Sequence, residues 1–188
     1  MSAPDYILTT PRLGLRLWQT DDLVPFSQLN ADDEVMRYFP NTLTSGQTRE
    51  FFDRIQAAFD EKGYGLWATE LLATREFIGF VGFSHPRFDE WFTPCVEIGW
   101  RLRRDMWGRG IAPEGAAACL RYGFDTLGFD KIYSFTATNN LPSERVMRKI
   151  GMEKAGEFNH PNIEPNSPLR RHVLYRIVRN SPTNAGFT

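Results

Sequence analysis

The stretch MWGRGIAPE, residues 106–114, stands between a run of residues typical of a β-strand and a run typical of a helix. Gly108 and Gly110 permit tight backbone geometry and carry no side chain that would cover the neighbouring amides. A helix that begins here leaves its first N–H groups unpaired, and its dipole favours an anion at that end. The stretch therefore predicts a phosphate-binding loop, with a purely structural turn as the alternative.

Two familiar nucleotide-binding motifs do not fit this stretch. The sequence GxxxxGK[ST] is absent, and Pro113 occupies the position of the third glycine in GxGxxG. Four arginines lie within nine residues around the loop, and each guanidinium is suited to charge-assisted bonds with phosphate oxygens. They are Arg101, Arg103, Arg104 and Arg109. Ordinary solvated arginines on an edge strand are the alternative interpretation.

The predicted strand before the loop spans residues 95–103 and has two different faces. Val96, Ile98, Trp100 and Leu102 fall on one face, and the alternation places Glu97 on the other face with Gly99, Arg101 and Arg103. After the loop, apolar residues spaced by three and four predict a helix through residues 117–127. The loop is therefore expected to join a strand to a helix.

The remaining pattern predicts a mixed α/β fold with mainly antiparallel strands. Leu13, Leu15 and Leu17 alternate with Gly14 and Arg16, as in a half-buried strand. A long helix is predicted from Ser45 to Lys62 and ends at Gly63. Further strands are predicted at residues 64–72, 76–84, 131–138, 152–158 and 169–178, and a short helix at 140–150. No linker or repeat divides residues 1–188, so we expect one domain.

The composition excludes several classes of protein. The chain has 188 residues, with 22 Lys+Arg against 23 Asp+Glu, so its net charge of −1 gives no general attraction to nucleic acid or membrane. Neither a signal peptide nor a membrane-spanning segment is visible, and we expect a cytoplasmic protein. Cys95 and Cys119 are too few for a disulfide framework or a structural zinc site, and the three histidines form no metal-ligand pair.

Several motifs together resemble the GCN5-related N-acetyltransferases, the GNAT superfamily. The family's acyl-CoA signature is Gln/Arg-x-x-Gly-x-Gly/Ala, in which Gly108 and Gly110 match while Asp105 replaces the usual Gln or Arg. The likeness is greatest to the branch of ribosomal-protein N-terminal acetyltransferases (Rim-type). It is carried by LTTPRLGLR at residues 8–16, EIGW at 97–100, NLPS at 140–143 and RKIGM at 148–152.

The resemblance covers residues 8–178 and implies a GNAT fold. It implies a central mixed, mostly antiparallel sheet of about seven strands with about four helices, splayed between the fourth and fifth strands. Acetyl-CoA would bind as the acyl donor in that opening, without a metal. The residues implied in its binding are Trp100, Leu102, Arg103, Gly108, Arg109, Gly110, Ile111, Ala112, Asn140 and Ser143.

The resemblance also implies catalytic roles. An amine is mostly protonated at neutral pH, so a general base is needed, and Glu97 is the first candidate. An ion pair of Glu97 with Arg101 or Arg16 is the alternative, and Glu157 is the competing base. Ser143 is assigned to the leaving thiolate, because Met147 stands where many family members have a donating tyrosine.

Three further interpretations stay open at this point. Asn140 is a candidate both to orient the pantetheine and to cap the following helix, and the two roles can coexist; His160 either contacts the substrate or structures its turn. Exposed aromatic side chains near the acceptor site fit either a substrate mouth or a homodimer. We therefore expect an N-acyltransferase that moves an acetyl group to a primary amine, on a protein N-terminus or a small molecule. A catalytically silent CoA-binding module is the alternative.

Overall fold

The computed structural model describes residues 5–179, which fold around one eight-stranded sheet. The strands are β1 (Tyr6–Thr9), β2 (Leu13–Arg16), β3 (Leu66–Leu71), β4 (Phe77–Ser84), β5 (Glu97–Leu102), β6 (Lys131–Ala137), β7 (Glu153–Asn159) and β8 (Arg171–Val178). The helices are α1 (Leu23–Ala31), α2 (Asp33–Met36), α3 (Ser45–Lys62), α4 (Ile111–Asp125) and α5 (Leu141–Lys149). Short 3-10 turns lie at Thr20–Asp22 and Arg104–Met106.

The sheet opens in its middle, between β5 and β6. The strand order is β1-β2-β3-β4-β5-β6-β8-β7, and every neighbouring pair except β5–β6 is antiparallel. The parallel β5–β6 pair is joined in register only at Glu97 and Tyr133. The splay expected from the resemblance is confirmed. Toward Leu102 and Ala137 the two strands leave backbone groups that do not pair across the sheet.

Local signals determine the longest helix. Thr44 accepts a hydrogen bond from the backbone of Gln47, whose side chain bonds back to Thr44, and this capping box begins α3. Gly63 ends the helix with a left-handed φ of 73°. The predicted bounds, Ser45–Lys62, are therefore confirmed.

Both faces of the sheet are covered. On one face, α4 packs over a core that includes Ile98, Leu102, Cys119 and Leu120. On the other face, α1 and α3 cover an aromatic cluster, which we call the Phe80 cluster. Its buried members are Trp18, Phe26, Leu29, Val35, Phe52, Ile55, Leu66, Ala68, Phe77 and Phe80. Helices cover both faces of β5. The side chain of Arg101 points to the second face and lies among the rings of Phe51 and Phe80.

The expected mixed, mostly antiparallel sheet with helices is confirmed; it has eight strands and five helices, and β1 and the four-residue α2 account for the difference from the approximate counts. One expectation about the fold needs correction. The half-buried strand around Leu13 is buried on both faces. Arg16 is only 5% exposed, and its guanidinium forms buried ion pairs with Asp22 and Glu70. In the part of the chain described, no helix is both long and apolar enough to cross a membrane.

Candidate active site

The predicted phosphate loop joins β5 to α4 in a form suited to an anion. Gly108 and Gly110 both adopt positive φ, 70° and 76°, which side-chain-bearing residues rarely adopt. Gly110 is the N-cap of α4 and provides no side-chain cap, so the first N–H groups of the helix keep no side-chain partner there. A Cβ built on Gly108 would meet nothing within 4 Å, so the backbone at this point faces open space.

A set of contacts from the other end of the chain braces this loop. Arg12 pairs with Glu114 in the first turn of α4 at 2.5 Å, and its Nη1 donates to the carbonyl of Arg109 at 2.9 Å. Thr10 also donates to Glu114, at 2.6 Å. The sequence interpretation used Thr10-Pro11-Arg12 only as part of a resemblance and missed this role. The signal that could have indicated this role is Glu114 itself. It is an acidic residue in the first turn of α4, close to the position where the loop was expected to bind an anion.

The four arginines near the loop separate into two groups. Arg103 forms a two-fold ion pair with Asp105, with N–O distances of 3.0 and 2.7 Å, while Arg104 and Arg109 are exposed. Arg101 turns to the opposite side, where its Nη1 donates to Asn30. Arg103, Arg104 and Arg109 thus stand beside the loop, and Arg101 does not.

Trp100 and Leu102 lie along the opening between β5 and β6. Leu102 is 4% exposed, so its side chain belongs to the core and only its backbone faces the opening. Its carbonyl accepts a 2.9 Å hydrogen bond from the Trp107 indole, which ties the loop to the strand. Ile111 is buried and Ala112 is half-buried, so these residues also offer backbone rather than side chains.

Asn140 and Ser143 meet at the start of α5, on the β6 side of the opening. The Asn140 side chain accepts from the Ser143 backbone N–H at 3.3 Å and caps the helix. Its amide nitrogen donates to Thr136 at 2.8 Å and to the Ser143 hydroxyl at 3.2 Å. The capping interpretation of Asn140 is confirmed. Ser143 remains half-buried, and its hydroxyl is held by a neighbour that could also orient it toward a ligand.

Glu97 lies where β4, β5 and β6 meet, at the closed end of the opening. Ser84 faces it across the β4–β5 pair and donates a 3.0 Å hydrogen bond to its carboxylate. Burial raises the pKa of Glu97 to about 7, and the bond from Ser84 opposes that shift. The alternative of an ion pair is wrong, because Arg16 pairs with Asp22 and Glu70 while Arg101 contacts Asn30. The geometry gives a half-buried carboxyl with a raised pKa and no cationic partner among the residues described.

Glu157, the competing base, lies in a different environment. It is exposed on β7 and pairs with Lys154 at 2.7 Å and Arg171 at 3.0 Å. The hydrogen bonds from these two cations lower the pKa of Glu157 below its ordinary value. A carboxylate held in its charged form in this way is a weak proton acceptor at neutral pH.

His160 packs within a group of rings beyond β6. Its ring centroid lies 4.7 Å from that of Phe88 and 5.0 Å from that of His172. Its Nδ1 accepts from the backbone N–H of Asn162 at 3.3 Å, as a turn-structuring side chain does. Burial lowers the pKa of His160, so the ring is favoured in its neutral form.

Residues 5–179 contain neither a cysteine suited to nucleophilic attack nor a cluster of metal-binding side chains. Burial raises the pKa of the Cys95 thiol to about 12 and also raises the pKa of Cys119, which is fully buried in α4. Thiols in such surroundings are poor nucleophiles. Within the described residues, no three His, Cys, Asp or Glu side chains come together as a metal site.

A cavity of about 370 Å³ adjoins Ser84 on the α3 side of the sheet. Apolar side chains such as Phe51, Ile55 and Phe83 form part of its lining. Its charged lining residues are Arg54, Glu61, Lys62 and Arg87. The cavity thus carries three cations and one carboxylate, and it lies beside the residue that hydrogen-bonds Glu97.

Comparisons with known proteins agree with this geometry. The acetyltransferase (GNAT) domain profile matches residues 12–153. The chain is 38% identical to the uncharacterized protein YkkB of Bacillus subtilis, over 77% of this chain and 84% of that protein. It is 30% identical to the uncharacterized N-acetyltransferase YoaA of B. subtilis, over 92% of this chain and 97% of that protein.

Solved structures share the fold. An acetyltransferase (GNAT family) from Bacillus anthracis superposes with a TM-score of 0.75 at 27% identity, covering 91% of this chain and 97% of that one. Mycobacterium smegmatis RimJ, solved in complex with CoA-disulfide, gives a TM-score of 0.70 at 20% identity, covering 88% and 81%, which shows a common fold. The matched profile, the curated relatives and the shared architecture lead to one conclusion. This chain belongs to the GNAT family and is an N-acetyltransferase.

Proposed function

We propose that this protein transfers an acyl group, acetyl in the first instance, from acyl-CoA to a primary amine by direct attack within a ternary complex. The observation that carries the proposal is the position of Glu97. Its side chain is half-buried, has no cationic partner among residues 5–179, and lies at the closed end of an opening whose other end meets the loop before α4. The donor would enter from the loop, and the amine from the side of Ser84.

The loop fits the phosphates of coenzyme A. Its backbone N–H groups at the start of α4 offer hydrogen bonds and a favourable dipole, and Arg103, Arg104 and Arg109 add positive charge. Asp105 neutralises part of the charge of Arg103, so the backbone amides carry more of the binding. The pantetheine arm would then lie along the unpaired backbone of β5 and β6.

Proton transfers complete the chemistry. Glu97 accepts a proton from the attacking amine, directly or through a water, as the nitrogen forms its bond to the thioester carbon. A backbone N–H of β5 stabilises the oxyanion, and such a donor commonly contributes about 2.7–4 kcal/mol. The C–S bond then breaks, and Ser143 donates a hydrogen bond to the departing thiolate. The products are an amide and free CoA.

The acceptor is a primary amine, on a protein N-terminus or on a small molecule. The shared fold is compatible with either class, and the half-open cavity of about 370 Å³ beside Ser84 favours the second. A silent CoA-binding module is the second candidate function, favoured by Met147, which cannot donate a proton to the thiolate.

One experiment separates the two candidate functions. Thiol release from acetyl-CoA is measured over a panel of amines and peptides, beside thermal shifts with acetyl-CoA, succinyl-CoA and CoA. We expect stabilisation by acetyl-CoA, turnover with at least one amine, and a kcat for Glu97→Gln reduced about 10²–10⁴-fold with little change in CoA affinity. CoA binding without thiol release supports the silent module, and an unchanged kcat removes Glu97 from the mechanism.

A further inference from the structure

Arg101 is a half-buried charged side chain that no carboxylate of residues 5–179 neutralises. It lies on β5, and its Nη1 donates to Oδ1 of Asn30 at 2.5 Å. Its Nε is fully buried and has no hydrogen-bond partner, and no carboxylate of residues 5–179 forms an ion pair with it. Burial lowers the pKa of Arg101 to about 10, which still leaves it charged at neutral pH. Since an unpaired ion is costly to bury, this arrangement calls for an anion.

The unsatisfied edge of the guanidinium has a defined shape. Asn30 occupies Nη1, so the free donors lie on the edge that includes Nε. Two parallel N–H groups on one edge of a guanidinium match the two oxygens of a carboxylate. The buried Nε of Arg101 is therefore a donor that could pair with one oxygen of a ligand carboxylate.

Aromatic rings line the space around Arg101 and lead outward. The guanidinium carbon lies 4.3 Å from the ring centroid of Phe39, 5.4 Å from that of Phe80 and 5.7 Å from that of Phe51. Phe39 is 40% exposed, and Phe51 also lines the 370 Å³ cavity. The guanidinium is thus surrounded by three rings, of which Phe39 is partly exposed and Phe51 also contacts the cavity.

Arg101 shares a face of β5 with Glu97. Residues 97, 99 and 101 alternate onto the same side of the strand, and a Cβ built on Gly99, between the two charged residues, would meet nothing within 4 Å. Four residues of strand separate their Cα atoms by about 13 Å. A carboxyl, an empty space and a guanidinium therefore follow one another along one face.

We propose that Arg101 binds a carboxylate of the acceptor, so that the amine substrate carries a carboxylate several bonds from its reacting nitrogen. The inference rests on the proposed function, because it places the amine at Glu97. Lys62 pairs with Glu61 at 2.9 Å, and the two further cations in the cavity lining, Arg54 and Arg87, favour the same anionic class of acceptor. The planar free edge of Arg101 favours a carboxylate over a phosphate.

The first test measures binding without turnover. Wild type and Arg101→Met are melted with about 20 mM glutarate, and with sodium chloride of equal ionic strength. We expect glutarate to raise the Tm of the wild type by about 2–4 °C and to leave Arg101→Met unchanged. Arg49→Met is the matched control, since Arg49 is an exposed arginine 6.0 Å over Phe52, and it should respond as the wild type does. Equal responses of all three proteins overturn the proposal.

The second test measures turnover with matched amines. Thiol release from acetyl-CoA is measured with two pairs of amines that differ only in a carboxylate or a carboxamide: 6-aminohexanoate with 6-aminohexanamide, and glycylglycine with glycylglycinamide. A fifth amine, 5-aminopentyl phosphate, tests whether a phosphate is preferred to a carboxylate. We expect the wild type to prefer the carboxylates about 10- to 100-fold in kcat/KM, and Arg101→Met to lose that preference while keeping its rate with the carboxamides. Arg101→Lys should retain part of the preference, because it keeps the charge without the fork. A preference for the phosphate, or one that survives in Arg101→Met, contradicts the proposal.

The two tests separate this inference from the proposed function. If no amine is acetylated while glutarate still stabilises the wild type and not Arg101→Met, acyl transfer fails and the anion site stands. If amines are acetylated without preference for a carboxylate and glutarate gives no shift, acyl transfer stands and the anion site is refuted. Arg101→Met should also melt at a temperature equal to or above that of the wild type without glutarate, because it removes an uncompensated buried charge.

Discussion

Ser84 and Glu97 face each other across β4 and β5, and the Ser84 hydroxyl donates a 3.0 Å hydrogen bond to the Glu97 carboxylate. The bond favours the charged form of Glu97, while burial favours the neutral form and is the larger influence. The resulting pKa of about 7 makes Glu97 sensitive to small changes around it.

Removal of the Ser84 hydroxyl should move the pH dependence of catalysis. In Ser84→Ala the pKa of Glu97 loses the influence that lowers it, so the base ionises at a higher pH. We expect the rising limb of kcat/KM to shift upward by up to about one pH unit. The profile is measured with saturating acetyl-CoA from about pH 5.5 to about pH 9. Ser84→Thr, which keeps the donor, is the control, and a limb that stays in place in Ser84→Ala argues against Glu97 as the base.

Glu97 should also make the folded state less stable as the pH rises. Its pKa is raised from 4.5 to about 7 in the native protein, so the native state holds the proton more tightly than the unfolded chain does. The stabilisation is therefore complete below about pH 4.5 and is lost as the pH rises through about 7. Glu97→Gln cannot ionise, so its advantage over the wild type should grow by about 2–3 kcal/mol between pH 5 and pH 8. Urea denaturation at both pH values measures the difference, and a constant difference contradicts the shift.

The roles of Asn140 and Ser143 can be separated by substitution. Ser143→Ala keeps the backbone N–H that Asn140 accepts, so the helix cap persists, while the hydroxyl proposed to face the thiolate is lost. We expect kcat to fall about 10- to 100-fold with little change in Tm or CoA affinity. Asn140→Ala should instead destabilise the protein by about 1 kcal/mol through loss of the cap. Wild-type kcat in Ser143→Ala limits Ser143 to its place in the first turn of α5.

The contact of Arg12 with Glu114 and the Arg109 carbonyl should matter for donor binding rather than chemistry. Arg12→Ala removes the contacts that hold the loop between β5 and α4. The backbone N–H groups of the loop must then become ordered as the donor binds, which weakens binding. We expect KM for acetyl-CoA to rise about 5- to 10-fold, with kcat at saturation changed less than about 3-fold. Steady-state kinetics and calorimetry with CoA measure both values. Arg49→Ala, which removes an exposed arginine of α3 that contacts Phe52 rather than the loop, is the control, and an unchanged KM in Arg12→Ala shows that the brace is dispensable.

Arg16 should be essential for stability. It bonds Asp22 at 2.7 and 2.8 Å and Glu70 at 2.8 Å, and all three residues are buried. Arg16→Met leaves buried Asp22 without a cation and leaves Glu70 with only the more exposed Arg75, and it should cost about 3–5 kcal/mol of unfolding free energy. Loss of the exposed pair with Glu34 in Arg37→Met should cost about 1 kcal/mol or less. Denaturant titrations compare the two, and equal effects would show that the buried network is compensated in another way.

Features with local causes were predictable from the sequence. The bounds of α3 follow from a capping box and a terminal glycine, both of which lie within the helix and its next residues. The tight turn between β5 and α4 likewise follows from two glycines between a strand and a helix, and both glycines adopt positive φ. Alternation correctly divided the faces of β5, because a strand has the same period whatever packs against it.

Features that depend on distant partners were not predictable. Alternation placed Arg16 and Arg101 on a face of the sheet, but it did not show that α1 and α3 cover that face. The partners of Arg16 lie 6 and 54 residues away, and Asn30 lies 71 residues from Arg101. The raised pKa of Glu97 also depends on distant residues, because the fold pairs Arg16 with Asp22 and Glu70, and Arg101 with Asn30, rather than with Glu97.

The divergence of β5 from β6 has a consequence for the protein before it meets its ligand. A strand edge normally lies at the rim of a sheet, where short length, charge or covering loops protect it from pairing with another chain. Here two edges lie in the middle, joined only at Glu97 and Tyr133. An acyl-CoA bound as proposed would place the amide groups of its pantetheine arm against these two edges and complete their hydrogen bonding. The donor would then protect, in the middle of the sheet, the kind of edge that other proteins protect at the rim.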